Sequence, residues 1–389
     1  MMLGYLLGRA GIDTVVLEKH ADFLRDFRGD TVHPSTLSIM LELGLLDDFL
    51  KLPHSKLRAL SVEVGREIFK VVDFGTLRPP CDFLALMPQW DFLNFLAANA
   101  KRYPALKILM STEALDLLRT DGKVVGVKAA GGGTTYDIHA DLVVGCDGRR
   151  SLVRAASGFE VEHLGSPIDV LWFRLTKHAS DPTEILGHLG SDKMLVTIDR
   201  GDYWQCAFVI AKDGYEQVQA AGLDAFRASV VDGARFLADR VQELQSFADV
   251  KLLSVSVDRL SRWSKSGLLC IGDAAHAMSP IGGVGINLAI QDAVATANLL
   301  SGKLRSGSVT ELDLDAVRKR RLFAVKVIQR MQVTIQNRLL EPRISGQVRG
   351  SGIPWPLLVL NSIPWLRKWP ARLLGVGVRP ERVRSPEDP

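Results

Sequence analysis

The sequence predicts an α/β fold in which a parallel sheet is interrupted by a β-rich block and followed by a helical tail. Three observations support this. The chain opens on a helical run, Met1 to Ala10, then Gly11, then the apolar run Ile12-Asp13-Thr14-Val15-Val16-Leu17, closed by Glu18-Lys19. Two further apolar runs, Asp141 to Cys146 and Leu268 to Ile271, each end at a turn containing glycine and aspartate. Between them, Asp169 to Ile210 is dense in β-forming residues. Strands of a parallel sheet are buried on both faces and so read as unbroken apolar runs rather than as alternation.

In order, Gly11 is a natural stop for the first helix, and Ile12–Leu17 reads as a buried parallel strand. Pro34 to Leu50 predicts an amphipathic helix with Leu37, Met40, Leu41 and Leu45 on one face. Short strands follow from Leu57 to Leu86, broken by Gly65, Gly75 and Pro79-Pro80. Gln89 to Tyr103 then repeats Phe92, Phe95, Leu96 and Ala100 at helical spacing before Pro104 ends it. A hairpin is expected at Asp121-Gly122 and a loop at Gly131-Gly132-Gly133. Lys251 to Asp258 reads as a strand after two helical stretches between Gly222 and Phe247. A long helix runs from about Gly285 to Leu304, and the chain beyond Leu312 is mostly helical.

The chain's 389 residues suffice for a large core, and 47% apolar with 24% charged residues is ordinary for a globular protein. A net charge of +4 spread along the chain is too mild to argue for nucleic acid. Cys81, Cys146, Cys206 and Cys270 lie far apart, without metal-ligand spacing, so no metal site is expected. Cys146 and Cys270, inside apolar runs, read as small core residues. The first residues lack the basic region and cleavage site of a signal peptide, and no 18-residue uncharged run would span a bilayer, so a cytoplasmic location is the expectation.

Chemistry concentrates in Ile271-Gly-Asp-Ala-Ala-His-Ala-Met-Ser-Pro-Ile-Gly-Gly-Val-Gly-Ile-Asn287. This is a strand, an acid at its carboxyl end, a proline–glycine loop and a helix start. Gly282, Gly283 and Gly285 let the backbone approach a ligand closely, and the helix start offers unpaired N–H groups. Asp273 is placed to accept from sugar-like hydroxyls. A second stretch, Val144-Gly-Cys-Asp-Gly-Arg-Arg-Ser-Leu-Val-Arg154, ends a strand at Asp147-Gly148 and opens a helix with Arg149, Arg150 and Ser151, a corner suited to pyrophosphate and ribose. Asp-Gly alone is usually only a turn; its pairing with the first stretch gives it weight. Glu18, at the end of the second strand of a βαβ unit, is where dinucleotide folds meet ribose hydroxyls.

Together these stretches resemble the FAD-dependent aromatic hydroxylases, the para-hydroxybenzoate hydroxylase-like flavoprotein monooxygenases. The resemblance runs from Met1 to roughly Leu304 and is carried by Gly272-Asp273-Ala274-Ala275-His276 through Pro280 to Asn287. Asp147-Gly148 with Ser151 and Arg154 supports it, as do Phe27-Arg28-Gly29-Asp30 before His33-Pro34 and Gln89 before Trp90-Asp91-Phe92. It implies an FAD-binding domain of Rossmann-like form with an inserted β-rich substrate domain and a C-terminal helical tail. By resemblance, Glu18 binds the adenosine ribose, Arg28 and Gln89 the ribityl and phosphates, and Asp147 the pyrophosphate region. Asp273 holds the ribityl chain, Pro280 belongs to the cofactor loop, and Gly282, Gly285, Ile286 and Asn287 line the isoalloxazine ring. Family members open with a strand and G-x-G-x-x-G; this chain has neither, and Met1 falls where that motif ends, as in a truncated or mis-started sequence.

The resemblance also implies that NAD(P)H reduces the flavin, that O2 adds at ring carbon C4a, and that the hydroperoxide delivers OH to an aromatic or polyketide-like substrate. The cofactor then performs the hard chemistry, so no catalytic side chain is singled out. His276 reads as structural. The expected domains are 1–56, 81–165 and 266–345 for FAD, 57–80 and 166–265 for the substrate, and 346–389 for the tail. Trp172, Phe173, Met194, Trp204 and Phe208 are candidate pocket walls, with ordinary core packing an equal alternative for each. Trp355, Trp365 and Trp369 lie among prolines and basic residues; packing on the body or a homodimer interface is favoured there over a membrane contact. The rival functions are a flavin reductase without hydroxylation, and a cofactor-free remnant that binds a ligand or partner.

Overall fold

A computed structural model describes residues 1–24, 31–65, 67–182, 185–190, 192–347 and 353–388. The opening helix Met2–Arg9 is buried along almost its whole length and lies on a parallel strand pair, Thr14–Leu17 with Leu106–Leu109. Gly4 and Gly8 permit that approach: a Cβ would come within 2.5 Å of Val16 Cγ2 at the first and 2.7 Å of Leu106 Cβ at the second. A second parallel pair, Val143–Gly145 with Leu268–Cys270, is extended by Ser264–Lys265. The long helix Gly285–Arg305 packs on the opening helix and on the helix Glu311–Ile335, and one core cluster unites them. The fold is of the mixed α/β, Rossmann type, and the two parallel pairs beside the long helices are separate from one another.

That separation corrects two expectations. Thr14–Leu17 is only partly buried, with Val15 44% exposed, and among the described residues it pairs on one edge alone. Cys146, one residue beyond Val143–Gly145, is exposed rather than a core residue, whereas Cys270 on the neighbouring strand is fully buried. The helix expected over Pro34–Leu50 is two, Pro34–Glu42 and Leu46–Phe49, broken where Gly44 takes a left-handed φ of +69°. Its buried face holds Leu37, Ile39 and Met40, and Leu41 is exposed. The hairpin at Asp121-Gly122 forms as expected between Thr112–Thr120 and Lys123–Gly131. Lys251–Asp258 does not form one strand: Lys251–Leu253 joins the large sheet and Asp258–Leu260 pairs elsewhere.

The β-rich block forms a sheet of seven strands in the order Lys251–Leu253, Ile168–Thr176, Tyr203–Ala211, Met194–Asp199, Ile185–Leu189, Ala59–Val64 and Glu67–Asp73. Alternation along each strand gives it two different faces. Phe173, Trp204 and Phe208 pack with Phe226 beneath the helices Tyr215–Ala221 and Leu223–Gly233. Trp172, Met194 and Val196 point the other way, towards Ile281 and the C-terminal helices. Three of the five aromatic and Met candidates are therefore core residues. The neighbours Trp172 and Phe173 could not both have faced one pocket.

The helix-covered face is pinned by a buried ion pair. Asp181 accepts from Arg240 Nη1 at 2.6 Å and Nη2 at 3.1 Å, from Trp204 Nε1 at 2.7 Å and from the His178 amide at 2.9 Å. Burial alone would raise the carboxyl's pKa, but the guanidinium and indole bonds outweigh it and hold it at about 2. A depressed pKa stabilises the fold above the ordinary carboxylate value, and that stabilisation is lost as pH falls from about 4 towards 2. Arg240→Ala leaves the carboxylate buried and unpaired, and should destabilise by about 3–5 kcal/mol in urea unfolding at neutral pH. The deficit should shrink as the pH is lowered through that window.

Candidate functional site

The site is built where the buried strand Leu268–Cys270 ends. Gly272 turns the chain with φ +59°, and its N–H donates to Asp292 Oδ2 at 3.0 Å. Asp292 has no solvent exposure; it also accepts from His276 Nε2 at 2.6 Å and from Arg321 Nε at 2.9 Å. Burial opposes its charge, but His276 and Arg321 prevail and keep the carboxyl below its ordinary pKa. His276, packed against Trp263, is buried with its Nδ1 unpartnered.

This knot holds the turn that presents Asp273. Arg149 Nε meets the Asp273 carboxylate at 3.3 Å, and Arg149 Nη2 donates to the Met278 carbonyl at 2.7 Å. Arg149 Nη1 is buried without a partner among the described residues. Asp273 and Arg149 stay about one-third exposed, at 33% and 28%. Facing them is the start of Gly285–Arg305, a helix with no side-chain cap. A Cβ on Gly285 would lie 3.8 Å from Met278 Cβ and 3.9 Å from Asp273 Oδ1, so the carboxylate sits within contact distance of the helix start, whose first N–H groups have no intrahelical acceptor.

The glycine loop before this helix is fixed from below. Gly282 and Gly283 take φ of +78° and +61°, and a Cβ on Gly283 would lie 2.3 Å from Thr31 Oγ1. Asn287 uses both ends of its amide. Its Oδ1 accepts from the His33 amide at 2.9 Å and Thr36 Oγ1 at 2.7 Å, and its Nδ2 donates to the Thr31 and Gly283 carbonyls at 3.1 and 3.2 Å. Asn287 is thus a brace between the loop and the segment Thr31–Thr36. His33 Nδ1 donates to the Leu374 carbonyl at 2.8 Å, and burial lowers that ring's pKa to about 4, so it stays neutral.

The remaining predicted positions divide. Pro280 and Ile286 are half-buried in and beside the loop. Gln89 opens the helix Gln89–Ala100, three residues past Leu86, which pairs with Thr31. Asp147 accepts from Ser151 Oγ and from the Val153 amide, so its carboxylate caps the helix Leu152–Ser157. Glu18 lies at the other end of the site, its carboxylate accepting from the His20 amide at 2.9 Å. Burial lowers the pKa of the Met1 amino group. Arg28 lies outside the described residues. Arg149, read with Arg150 and Ser151 as part of a pyrophosphate and ribose corner, meets Asp273 instead, and Asp292 and Arg321 went unassigned in the sequence. Asp292 left a signal, as the only charged residue between Pro280 and Lys303.

The helix start without a side-chain cap and the orphan guanidinium nitrogen beside Asp273 fit a polar, anionic cofactor. The FAD binding domain family model matches residues 1–331. The chain is 32% identical to 6-methylpretetramide 4-monooxygenase of Streptomyces rimosus, covering 99% of this chain and 91% of that protein. It is 27% identical to rifampicin monooxygenase of Streptomyces venezuelae over 88% of this chain and 70% of the relative. Among solved structures, the anhydrotetracycline hydroxylase OxyS from Streptomyces rimosus superposes with TM-score 0.73 at 21% identity, covering 96% of this chain and 73% of that one. P. aeruginosa PqsL in complex with 2-aminobenzoylacetate gives 0.74 at 21% identity, covering 89% and 95%. At these identities the structures speak for the fold alone.

Asn287→Ala removes four hydrogen bonds from a buried brace and should destabilise by about 2–4 kcal/mol. Thermal unfolding with and without added FAD checks this, and the gap between variant and wild type should widen in its presence.

Proposed function

Since the chain belongs to the FAD binding domain family, we propose that it uses NAD(P)H and O2 to hydroxylate an electron-rich aromatic or polyketide-like small molecule. Family membership and the whole-length relative make it an FAD-dependent monooxygenase; the reductant and the substrate class are what the proposal adds. The observation that carries it is the Asp273 carboxylate, gripped by Arg149 and aimed across Gly285 at an uncapped helix start.

When bound, the flavin supplies two-electron chemistry with O2, and the protein supplies position, field and dryness. Asp273 would accept from the ribityl hydroxyls, and Arg149 Nη1 would find its missing acceptor on the same cofactor. The free N–H groups at Gly285 and Ile286 would stabilise negative charge on the ring edge. Glu18 would take the adenosine ribose, and Asp147, through the helix start it caps, the pyrophosphate region. Gln89 and Arg28 would take the ribityl and phosphate side. Trp172 and Val196 from the sheet, with Ile281 and Leu374, form an apolar wall beside the glycine loop. A planar apolar substrate would lie against it, shielded from water.

Asp273→Ala should weaken FAD binding at least tenfold, the scale of a lost hydrogen bond to a charged group, while the apoprotein's urea midpoint stays near wild type. Retention of flavin and turnover at wild-type levels would remove the site assignment. Labelled O2 tests the reaction: one atom should appear in the product with one NAD(P)H oxidised. NAD(P)H oxidation with no label in any product would instead mark a reductase.

A further inference from the structure

Residues 353–378 differ from the rest of the surface. They hold three tryptophans and the cations Arg367, Lys368 and Arg372, with no aspartate or glutamate. Their inner side is ordinary packing: Leu357 joins one core cluster, Ala371 and Leu374 another. Their outer side is not. Among the described residues, six of the sixteen exposed large hydrophobic side chains fall between Trp355 and Trp369. Trp355 is 74% exposed, and Trp365 and Trp369 are 60% exposed. The other exposed hydrophobics are scattered along the chain, as on any soluble surface.

The spacing makes this a face. Trp355, Leu358 and Val359 share one side of the helix Trp355–Ser362, and Ile363 continues it. Trp365 and Trp369 follow one turn apart, and Lys368 Nζ lies 5.2 and 5.9 Å from their ring centroids. Indole rings beside ammonium and guanidinium groups are the composition of a membrane–water interface, where the ring sits at headgroup depth and the cation meets phosphate. No helix among the described residues is long and apolar enough to cross a membrane. Pro364 divides the segment into short helices that can lie flat.

Charge decides between occupants. A second copy meeting this face through a two-fold axis would set the three cations of this acid-free segment against themselves. An anionic lipid surface complements it, each nearby Lys or Arg adding to the attraction.

We propose that the outer face of residues 355–372, with Trp355, Trp365 and Trp369 as anchors and Lys368 and Arg372 as phosphate contacts, docks this protein on an anionic phospholipid bilayer.

The purified full chain is to be floated with vesicles of phosphatidylglycerol and, separately, of phosphatidylcholine. It should co-float with the first and much less with the second, with tryptophan emission shifting to the blue. Trp365→Ala with Trp369→Ala should cut partitioning at least tenfold. Lys368→Glu with Arg372→Glu should do the same and abolish the difference between the two lipids. Thermal midpoints should be unchanged in both variants. Absence of wild-type binding, or binding indifferent to the charge reversals, overturns the proposal. So does a concentration-dependent dimer that the tryptophan variant abolishes while vesicles bind nothing.

Discussion

Asp292 is a carboxylate with no access to water, and three donors converge on it: the Gly272 amide, His276 Nε2 and Arg321 Nε. A buried anion is tolerable only when it is matched in this way, and removing one partner from such a group costs several kcal/mol. The match here joins the strand end, the long helix Gly285–Arg305 and the helix Glu311–Ile335 at one atom group. Because the Gly272 N–H is one of the donors, the direction in which Asp273 leaves the turn depends on that knot. Arg321 also reaches Glu381, with its Nη1 at 3.5 Å, so the C-terminal segment is tied into the same arrangement.

Above the knot the site uses backbone more than side chains. A residue without Cβ stands opposite Asp273 at the helix start, so only backbone faces that carboxylate there. The loop would still be floppy without a brace. Asn287 supplies one by spending its whole amide inside the protein, and His33 adds a second link to Leu374. Flavin chemistry depends on the placement of a cofactor rather than on a reactive side chain, and this division of labour suits it.

The parts of this architecture legible in the sequence were those fixed by local pattern. The apolar runs at 12–17, 141–146 and 268–271 located the parallel strands, and the glycines at 282, 283 and 285 located the loop. What depends on a neighbour was not legible. Val15 and Cys146 lie in runs that look buried, yet both side chains are exposed, because burial depends on what packs over each face of the strand. Phe173, Trp204 and Phe208 were sorted from Trp172 and Met194 only by which side of the sheet the helices 215–233 cover. Asp292 was visible as a lone charge in an apolar helix, but its three donors come from distant positions that no spacing rule connects.

Leu374 stands closest to the loop from outside: a Cβ on Gly282 would lie 3.0 Å from its Cδ2, and its carbonyl holds His33. Five residues earlier in the same short helical stretch, Trp369 points away from the body. The short helical stretch Lys368–Val376 therefore has a contact with the cofactor loop near one end and an exposed indole near the other. If a ligand on the outer face shifted this stretch, the shift would reach the cofactor loop through Leu374, and by reciprocity any such effect would be equal in both directions.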